Sequence, residues 1–355
     1  MFCYQCQETA KNEGCTVKGM CGKSEETANL QDLLIYALRG VAVYAKKAKE
    51  LGISDRENGL FVTQALFNTI TNANFDNDRI IELIKKALSR REALKEKFLA
   101  AYKEKNGREF DEALHHSATW FSGDVAEFHE KAKSVGVLST ENEDVRSLRE
   151  LLIIGVKGIA AYADHAAELG FEKDEIYDFF MESLASTTKD LSVDEMIALV
   201  LKAGEVAVTT MATLDEANTT TYGQPEITEV NLGVGSNPGI LISGHDLKDM
   251  DELLKQTEGT GVDVYTHGEM LPTNYYPAFK KYDHLKGNYG GSWWHQNKEF
   301  ESFNGPILMT SNCIVPLKKD NTYLDRLFTT GMTGYLGSKY IADRPQGGTK
   351  DFRNH

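Results

Sequence analysis

Five cysteines are the first residues of this chain with obvious chemistry, and they are unevenly distributed. Cys3, Cys6, Cys15 and Cys21 fall within the first 21 residues, whereas Cys313 stands alone near the other end. Four thiolates held close together without a cation would repel one another and take up protons, so a metal site explains the N-terminal group best. Disulfides are the weakest explanation. They are typical of small secreted domains, and this sequence predicts a large core and shows no export signal.

The spacing of the N-terminal cysteines favours an iron–sulfur cluster over zinc. Structural zinc sites usually have two closely spaced ligand pairs, but five residues separate Cys15 from Cys21. Gly14, Gly19 and Gly22 would let backbone N–H groups approach cluster sulfides. The spacing matches neither common ferredoxin pattern, and both iron and zinc accept thiolate ligands, so spacing alone leaves zinc open.

A second set of metal-binding side chains follows three predicted strands. The strands and the residues after them are Gly239–Ser243 with His245, Val262–Tyr265 with Glu269, and Pro306–Thr310 with Cys313. Because ligands bind at the carboxyl ends of the strands in an open parallel sheet, we expect these three side chains to converge. Imidazole, carboxylate and thiolate together form a ligand set for a transition metal.

Each polar residue near these strand ends also has an ordinary explanation. Asp246 resembles a helix N-cap with Asp249 at the third helical position, and a lone buried cysteine such as Cys313 usually behaves as a small hydrophobic residue. Three strands that end in this way together favour a functional site.

The elements that position these residues divide the chain into two halves. From Asn29 to about Asn218 proline is absent and apolar residues recur at helical spacing. The segment Leu33–Ala45 aligns with Leu151–Ala163 at an offset of 118 residues, which predicts two similar helical bundles rather than a solenoid. The matching glycines Gly52 and Gly170 should end the two repeated helices.

Small residues on the repeated helices predict close helix packing. These residues are Gly40, Ala42, Gly158 and Ala160.

The remainder of the chain has the pattern of an α/β domain. All seven prolines lie there, and the predicted strands alternate with helical stretches such as Lys248–Gln256, with Lys339–Ala342 as a weaker fourth strand. The predicted architecture is therefore multidomain, α followed by α/β. An N-terminal iron–sulfur segment (1–28) precedes an all-α domain (29–222) and a Rossmann-like parallel-sheet domain (223–355). The segment Gly287–Gln296 lacks the lysine of a phosphate-binding loop and is predicted to be a structural loop over the site.

Composition limits the partners that this chain would bind. The 355 residues are 41% hydrophobic and 26% charged, which is typical of a globular protein and excludes disorder and collagen. A formal net charge of −14 argues against nucleic acid. No unbroken apolar run approaches the roughly 18 residues of a membrane span, so we expect no membrane partner and a cytoplasmic location.

Five motifs in this sequence resemble the hybrid cluster protein family. The motifs are MFCYQCQET (1–9), GMCGK (19–23), GHDL (244–247), THGEMLP (266–272) and TSNC (310–313). The resemblance spans the whole chain. The family is also called prismane protein or hydroxylamine reductase, and it is distantly related to nickel carbon monoxide dehydrogenases.

The resemblance implies two clusters. Cys3, Cys6, Cys15 and Cys21 would hold a [4Fe–4S] cluster, which would decide for iron against zinc. His245, Glu269 and Cys313 would be ligands of the hybrid [4Fe–2O–2S] cluster, whose open iron site binds substrate.

The resemblance also implies an activity. Family members reduce hydroxylamine to ammonia and water, and nitric oxide reduction in nitrosative-stress defence is the physiological role proposed for them. Electrons would come from an unidentified donor, and protons from His267, Glu269 or water. The helical half would correspond to the family's paired three-helix bundles.

One departure from the family pattern concerns the hybrid cluster. In the family a third domain supplies three further cysteines and another glutamate, but this sequence has no cysteine after Cys313. We therefore expect a truncated chain in which the hybrid cluster does not assemble stably, since metal affinity falls as ligands are lost. The alternative function is a non-catalytic electron-transfer or redox-sensing module that carries only the N-terminal cluster. Carbon monoxide dehydrogenase chemistry is disfavoured, because the cysteines of a nickel site are missing.

Overall fold

A computed structural model describes residues 1–345 and 348–353. The chain forms two compact units. The first contains Met1–Thr69, Asn77–Asp164 and Glu172–Ala212, and the second contains Ile70–Asp76, His165–Phe171 and the described residues from Thr213 onward. The predicted domain limits, 1–28, 29–222 and 223–355, stay predictions. They differ from these units because short segments from the helical half belong to the second unit.

Long α-helices dominate the first half of the chain. The α-helices of the described residues are α1 (Glu25–Glu50), α2 (Arg56–Asn68), α3 (Asn77–Asn106), α4 (Val125–Ala132), α5 (Glu143–Glu168), α6 (Asp174–Ser186), α7 (Val193–Tyr222), α8 (Leu247–Thr257) and α9 (Gln296–Ser302).

The internal repeat extends over three helices. α1, α2 and α3 contain 26, 13 and 30 residues, and α5, α6 and α7 have the same lengths in the same order. Gly52 and Gly170 follow α1 and α5 at the same left-handed φ of 82°. Each glycine N–H donates to a carbonyl three residues earlier at 2.9 Å, as in a helix C-terminal motif. The predicted glycine stops are confirmed, whereas the arrangement of the helices as two bundles stays a prediction.

The first unit is built around α1. Ser24 caps this helix by accepting the N–H of Thr27 at 3.0 Å, and the apolar residues of α1 are buried against α3 and α6. A side chain at Gly40 would place its Cβ 2.2 Å from the carbonyl oxygen of Ser117, so close packing is confirmed there. The same prediction is wrong for Gly158. That residue is exposed, and apart from its chain neighbours and the local helix backbone a Cβ on it would have no described atom within 4 Å.

The second unit contains a parallel sheet. The β-strands of the described residues are β1 (Asn74–Phe75), β2 (Gly239–Ser243), β3 (Asp263–His267), β4 (Leu285–Asn288), β5 (Ile307–Met309), β6 (Leu327–Thr330), β7 (Gly334–Tyr335) and β8 (Lys339–Ile341). The main sheet has the order β4-β3-β2-β5-β6-β8 with every pair parallel, and β1 pairs with β7 separately.

The strand order of the main sheet is that of a Rossmann fold. Numbered by occurrence, its strands run 3-2-1-4-5-6. Ser243 at the end of β2 pairs with His267 at the end of β3 and with Met309 at the end of β5. Three strands therefore end at one level, as a site at this edge requires. The predicted parallel sheet is confirmed, but β4 and β6 were not predicted, and the predicted loop Gly287–Gln296 begins within β4.

One helix is long and apolar enough to cross a membrane by length and composition alone. It is α7, and 17% of its most apolar 18-residue window is buried. The sequence prediction considered only unbroken apolar runs, and Lys202 and Glu205 interrupt the apolar run within α7. Apolar helices of soluble proteins also meet this criterion, so it is weak evidence of a membrane span.

Candidate metal centres

The four N-terminal cysteines lie in a segment with little regular secondary structure. The N–H of Cys3 donates to the carbonyl of Cys15 at 3.1 Å, and the reciprocal bond is 2.8 Å long. Between them the chain turns through Lys11 and Asn12, both at left-handed φ angles of 56° and 57°. These contacts bring together cysteines that are 12 residues apart in the sequence.

The four thiol groups interact electrostatically. Burial raises the pKa of Cys6, the backbone N–H of Glu8 lowers it, and the other three cysteines raise it further. Ionising Cys6 beside the other three cysteines is therefore unfavourable without a compensating positive charge.

Cys15 has the environment of a stabilised thiolate. It is 3% exposed, and burial alone would raise its pKa. Backbone N–H groups of Ala10 and Met20 and the hydroxyl of Thr9 hydrogen-bond to the sulfur and bring the pKa below its ordinary value, with a smaller contribution from Lys23. Hydrogen bonds to ligand sulfurs are one of the means by which proteins tune iron–sulfur clusters.

The second candidate centre lies at the edge of the main sheet. His245 follows β2, Glu269 lies in a 3₁₀ helix (Gly268–Tyr275) directly after β3, and Cys313 follows β5. Their ligand atoms lie within 4.8 Å of one another. In the part of the chain that the structure describes, this is the one set of three or more His, Cys, Asp or Glu side chains close enough to share a single ion. The predicted convergence is confirmed, and the role of these residues as ligands stays a prediction.

Glycine allows the strand ends to approach each other. Gly244 has a φ of 114°, and a Cβ there would lie 2.5 Å from Oγ1 of Thr310 and 2.8 Å from the backbone nitrogen of Ser311. A larger residue would force the ends of β2 and β5 apart and move His245 away from Cys313.

A hydroxyl group orients the imidazole of His245. Nδ1 of His245 lies 2.8 Å from Oγ of Ser311, and Nε2 contacts Oε2 of Glu269. A proton on Nδ1 that is donated to Ser311 leaves the lone pair on Nε2, on the side of Glu269 and Cys313, where it would be available to a metal.

The thiolate form of Cys313 is disfavoured in the absence of a cation. Burial, and then the charge of Glu269, raise the pKa of the thiol to about 12. The backbone of Cys313 has a φ of 78°, a left-handed conformation that is uncommon for a residue with a side chain. A bound cation would reverse the electrostatic balance and deprotonate the thiol.

Gln296, at the start of α9, fixes the loop that carries Cys313. Its Nε2 donates to the carbonyl of Cys313 at 2.6 Å, and its Oε1 accepts the N–H of Val315 at 2.9 Å. Gln296 is itself buried, so the two hydrogen bonds are protected from water.

His267 belongs to a different hydrogen-bonded group. It is fully buried, and its Nδ1 and Nε2 lie 2.9 Å from Oγ of Ser243 and 2.8 Å from Oε2 of Glu299. Burial lowers the pKa of His267, and Glu299 offsets part of this effect. Because both ring nitrogens are engaged, this geometry favours a positioning role. Proton donation by His267 stays a prediction.

Sequence reasoning assigned no role to Ser311, Gln296 or Glu299. Ser311 could have been found, since it lies two residues before Cys313 in the same motif. Gln296 and Glu299 are in a short helix that was predicted in part as loop, so nothing in the pattern indicated their partners.

Comparisons with known proteins give a consistent result over the whole sequence. The model of a family described as the Prismane/CO dehydrogenase family matches residues 1–354. A hydroxylamine reductase from Nitratidesulfovibrio vulgaris is 74% identical over 99% of this chain and 64% of its own length. Hydroxylamine reductases from Desulfosudis oleivorans and Halothermothrix orenii are 65% and 64% identical, each over 99% of this chain and 63% of their own length. This chain thus spans slightly less than two thirds of these relatives.

A solved structure is similar at a lower level. Carbon Monoxide Dehydrogenase IV from Carboxydothermus hydrogenoformans is 15% identical with a TM-score of 0.38, over 96% of this chain and 51% of that one.

Proposed function

Because this chain belongs to the Prismane/CO dehydrogenase family, we propose that it forms part of an iron–sulfur oxidoreductase that reduces hydroxylamine. In this proposal the N-terminal segment holds a [4Fe–4S] cluster, and His245, Glu269 and Cys313 supply three ligands of the hybrid cluster. The observation that carries the proposal is the convergence of these three different donors within 4.8 Å at the edge of the sheet. The names and high identity of the relatives support the substrate class.

Two features of the N-terminal cysteines support a cluster over a single zinc ion. Zinc–sulfur bonds of about 2.3 Å in a tetrahedron would bring the sulfurs to about 3.8 Å from one another. Among the described residues no three of the N-terminal cysteines form a set close enough to share one ion. A larger metal–sulfur core does not require such a close approach of the sulfurs. The N–H groups that hydrogen-bond to the sulfur of Cys15 are also typical of iron–sulfur ligands.

The side chains at the sheet edge have separate tasks in this proposal. When bound, the hybrid cluster would supply electrons and a Lewis-acidic iron for cleavage of the N–O bond, which consumes two electrons and two protons and yields ammonia and water. Ser311 orients His245, and Gln296 holds the loop of Cys313. The side chain of Glu269 is 61% exposed, so its carboxylate can exchange protons with water.

The test is anaerobic purification of this chain, followed by iron and acid-labile sulfide counts, EPR after reduction, and a hydroxylamine assay with a viologen donor. About eight irons, a second non-cubane signal and activity would support the enzyme. About four irons and one cubane signal would limit the isolated chain to electron transfer. The matching assay on a protein of the relatives' full length would then decide the activity. Zinc, or no metal, would overturn the proposal.

Several properties of the whole protein stay predictions from the family resemblance. These are the electron donor, a cytoplasmic location, nitric oxide as a substrate and a role in nitrosative stress.

A further inference from the structure

A small polar cavity lies beside the N-terminal cysteine segment. Its volume is about 30 Å³, enough for about one or two water molecules. The side chains that matter here are Cys3, Gln5, Lys23, Asp32, Glu150 and Lys157. Two lysines in such a space are unusual, because lysine side chains are rarely buried.

Both ammonium groups are held by neutral acceptors. Lys23 is 3% exposed, and its Nζ donates to Oε1 of Gln31 at 2.6 Å. Lys157 is partly buried, and its Nζ donates to Oε1 of Gln5 at 3.2 Å and to the carbonyl of Thr69 at 3.4 Å. Within the described residues, neither Nζ has a carboxylate oxygen within 4.0 Å. Their charges are therefore only partly compensated by direct contacts.

The nearby carboxyl groups do not supply full compensation. Burial, and then the charge of Glu150, raise the pKa of Asp32 to about 7, so this group is only partly ionised at neutral pH. Burial also lowers the pKa of Lys157 and the charge of Lys23 lowers it further, while Glu150, Asp32 and Cys3 offset part of this effect. Two ammonium groups that repel each other next to a cysteine ligand make a favourable environment for an anion.

We propose that Lys23 and Lys157 raise the reduction potential of the cluster that the four cysteines bind. This inference rests on the proposed [4Fe–4S] cluster, which is an anion when its four thiolate ligands are counted. Its reduction adds one electron from an external reductant, with no bond made or broken. The added negative charge is stabilised by the two ammonium groups, so they favour the reduced form over the oxidised form. The lysines act through the cluster and are positioning residues.

The test compares buried and exposed lysines of the same region. Lys23→Met and Lys157→Met each remove one charge from the cavity and are the buried variants, and Lys18→Met removes an exposed charge from the N-terminal segment. Midpoint potentials are measured on the anaerobically purified full chain by EPR-monitored redox titration. We expect each buried substitution to lower the equilibrium constant for reduction at least tenfold, which is about 59 mV for one electron. Lys18→Met should change it less than about twofold, because water and salt screen an exposed charge. Lys157→Arg keeps the charge and should retain the potential.

The outcomes distinguish failure of this inference from failure of the proposed function. A wild-type chain without iron and sulfide would refute the cluster and with it the inference. An intact cluster whose potential shifts no more in the buried variants than in Lys18→Met would refute the inference alone. Loss of the cluster from both buried variants, with retention in Lys18→Met, would assign the lysines to cluster assembly and would also overturn it.

Discussion

The two cysteine-containing regions bring their proposed metal ligands together in opposite ways. In the N-terminal segment all four cysteines lie within 21 residues. Backbone turns and the two backbone hydrogen bonds between Cys3 and Cys15 bring them together. At the sheet edge the three donors come from positions 245, 269 and 313, and the common level of β2, β3 and β5 brings them together. The first arrangement depends on local backbone conformation, and the second on sheet register. A local set can therefore lose its metal without loss of the fold, whereas the sheet-edge set is tied to the core of the second unit.

The largest effect that would test this comparison is loss of the N-terminal cluster. In Cys6→Ser we expect the EPR signal of this cluster to disappear and the iron content to fall by about four, because three thiolates hold a cubane poorly. Far-UV circular dichroism should be nearly unchanged. Cys313→Ser is the matched control and should keep the N-terminal signal. Unchanged iron in Cys6→Ser would remove Cys6 from the ligand set.

A similarly large effect is expected at the sheet edge, but on activity. Glu269→Gln in a protein of the relatives' full length should lower the rate of hydroxylamine reduction by more than about 100-fold. Replacing a residue that supports a metal ligand typically lowers activity 10–100-fold, and replacing the ligand itself should lower it further. The N-terminal EPR signal should persist. Glu229→Gln changes an exposed glutamate of the same unit and should leave the rate unchanged. Retained activity in Glu269→Gln would exclude it as a ligand.

A smaller effect is expected from the partner of His245. Ser311→Ala removes the hydroxyl group 2.8 Å from Nδ1, and we expect a 10–100-fold loss of hydroxylamine reduction in the full-length protein. Ser311→Thr keeps a hydroxyl group and should recover most of the rate. Equal rates for Ser311→Ala and the wild type would show that the sheet alone orients His245.

The smallest effect separates a structural residue from its functional neighbour. Asp246 follows His245, but its carboxylate caps α8 by accepting the N–H groups of Lys248 and Asp249 at 2.8 and 3.0 Å. Asp246→Ala should lower the free energy of unfolding by about 1 kcal/mol, measured by urea denaturation. Asp246→Asn retains the cap and should lose less. A change in the N-terminal EPR signal in either variant would contradict the independence of the two regions.

Much of this organisation follows from the sequence. The apolar runs before His245, Glu269 and Cys313 are strong strand signals, and one rule about parallel sheets then places the residues together. The predicted cap at Asp246 is confirmed as well.

Other features could not be predicted because they depend on three-dimensional contacts. β4 ends in Gly287 and Asn288, which are poor strand formers, and only pairing with β3 makes this segment a strand. The burial of Lys23 depends on residues far along the chain. Lysine is usually a surface residue, so the residue type alone gave no sign that Lys23 is buried.

The left-handed backbone at Cys313 also bears on how this position can vary. Glycine would adopt this conformation at lower cost, by about 1 to 3 kcal/mol, but it offers no sulfur. The protein carries this cost whether or not a metal is bound. In a population of sequences released from the need to bind metal, substitutions to glycine at position 313 should therefore accumulate early and make the fold more stable. Retention of cysteine at this position would then be a record of continuing selection for the ligand.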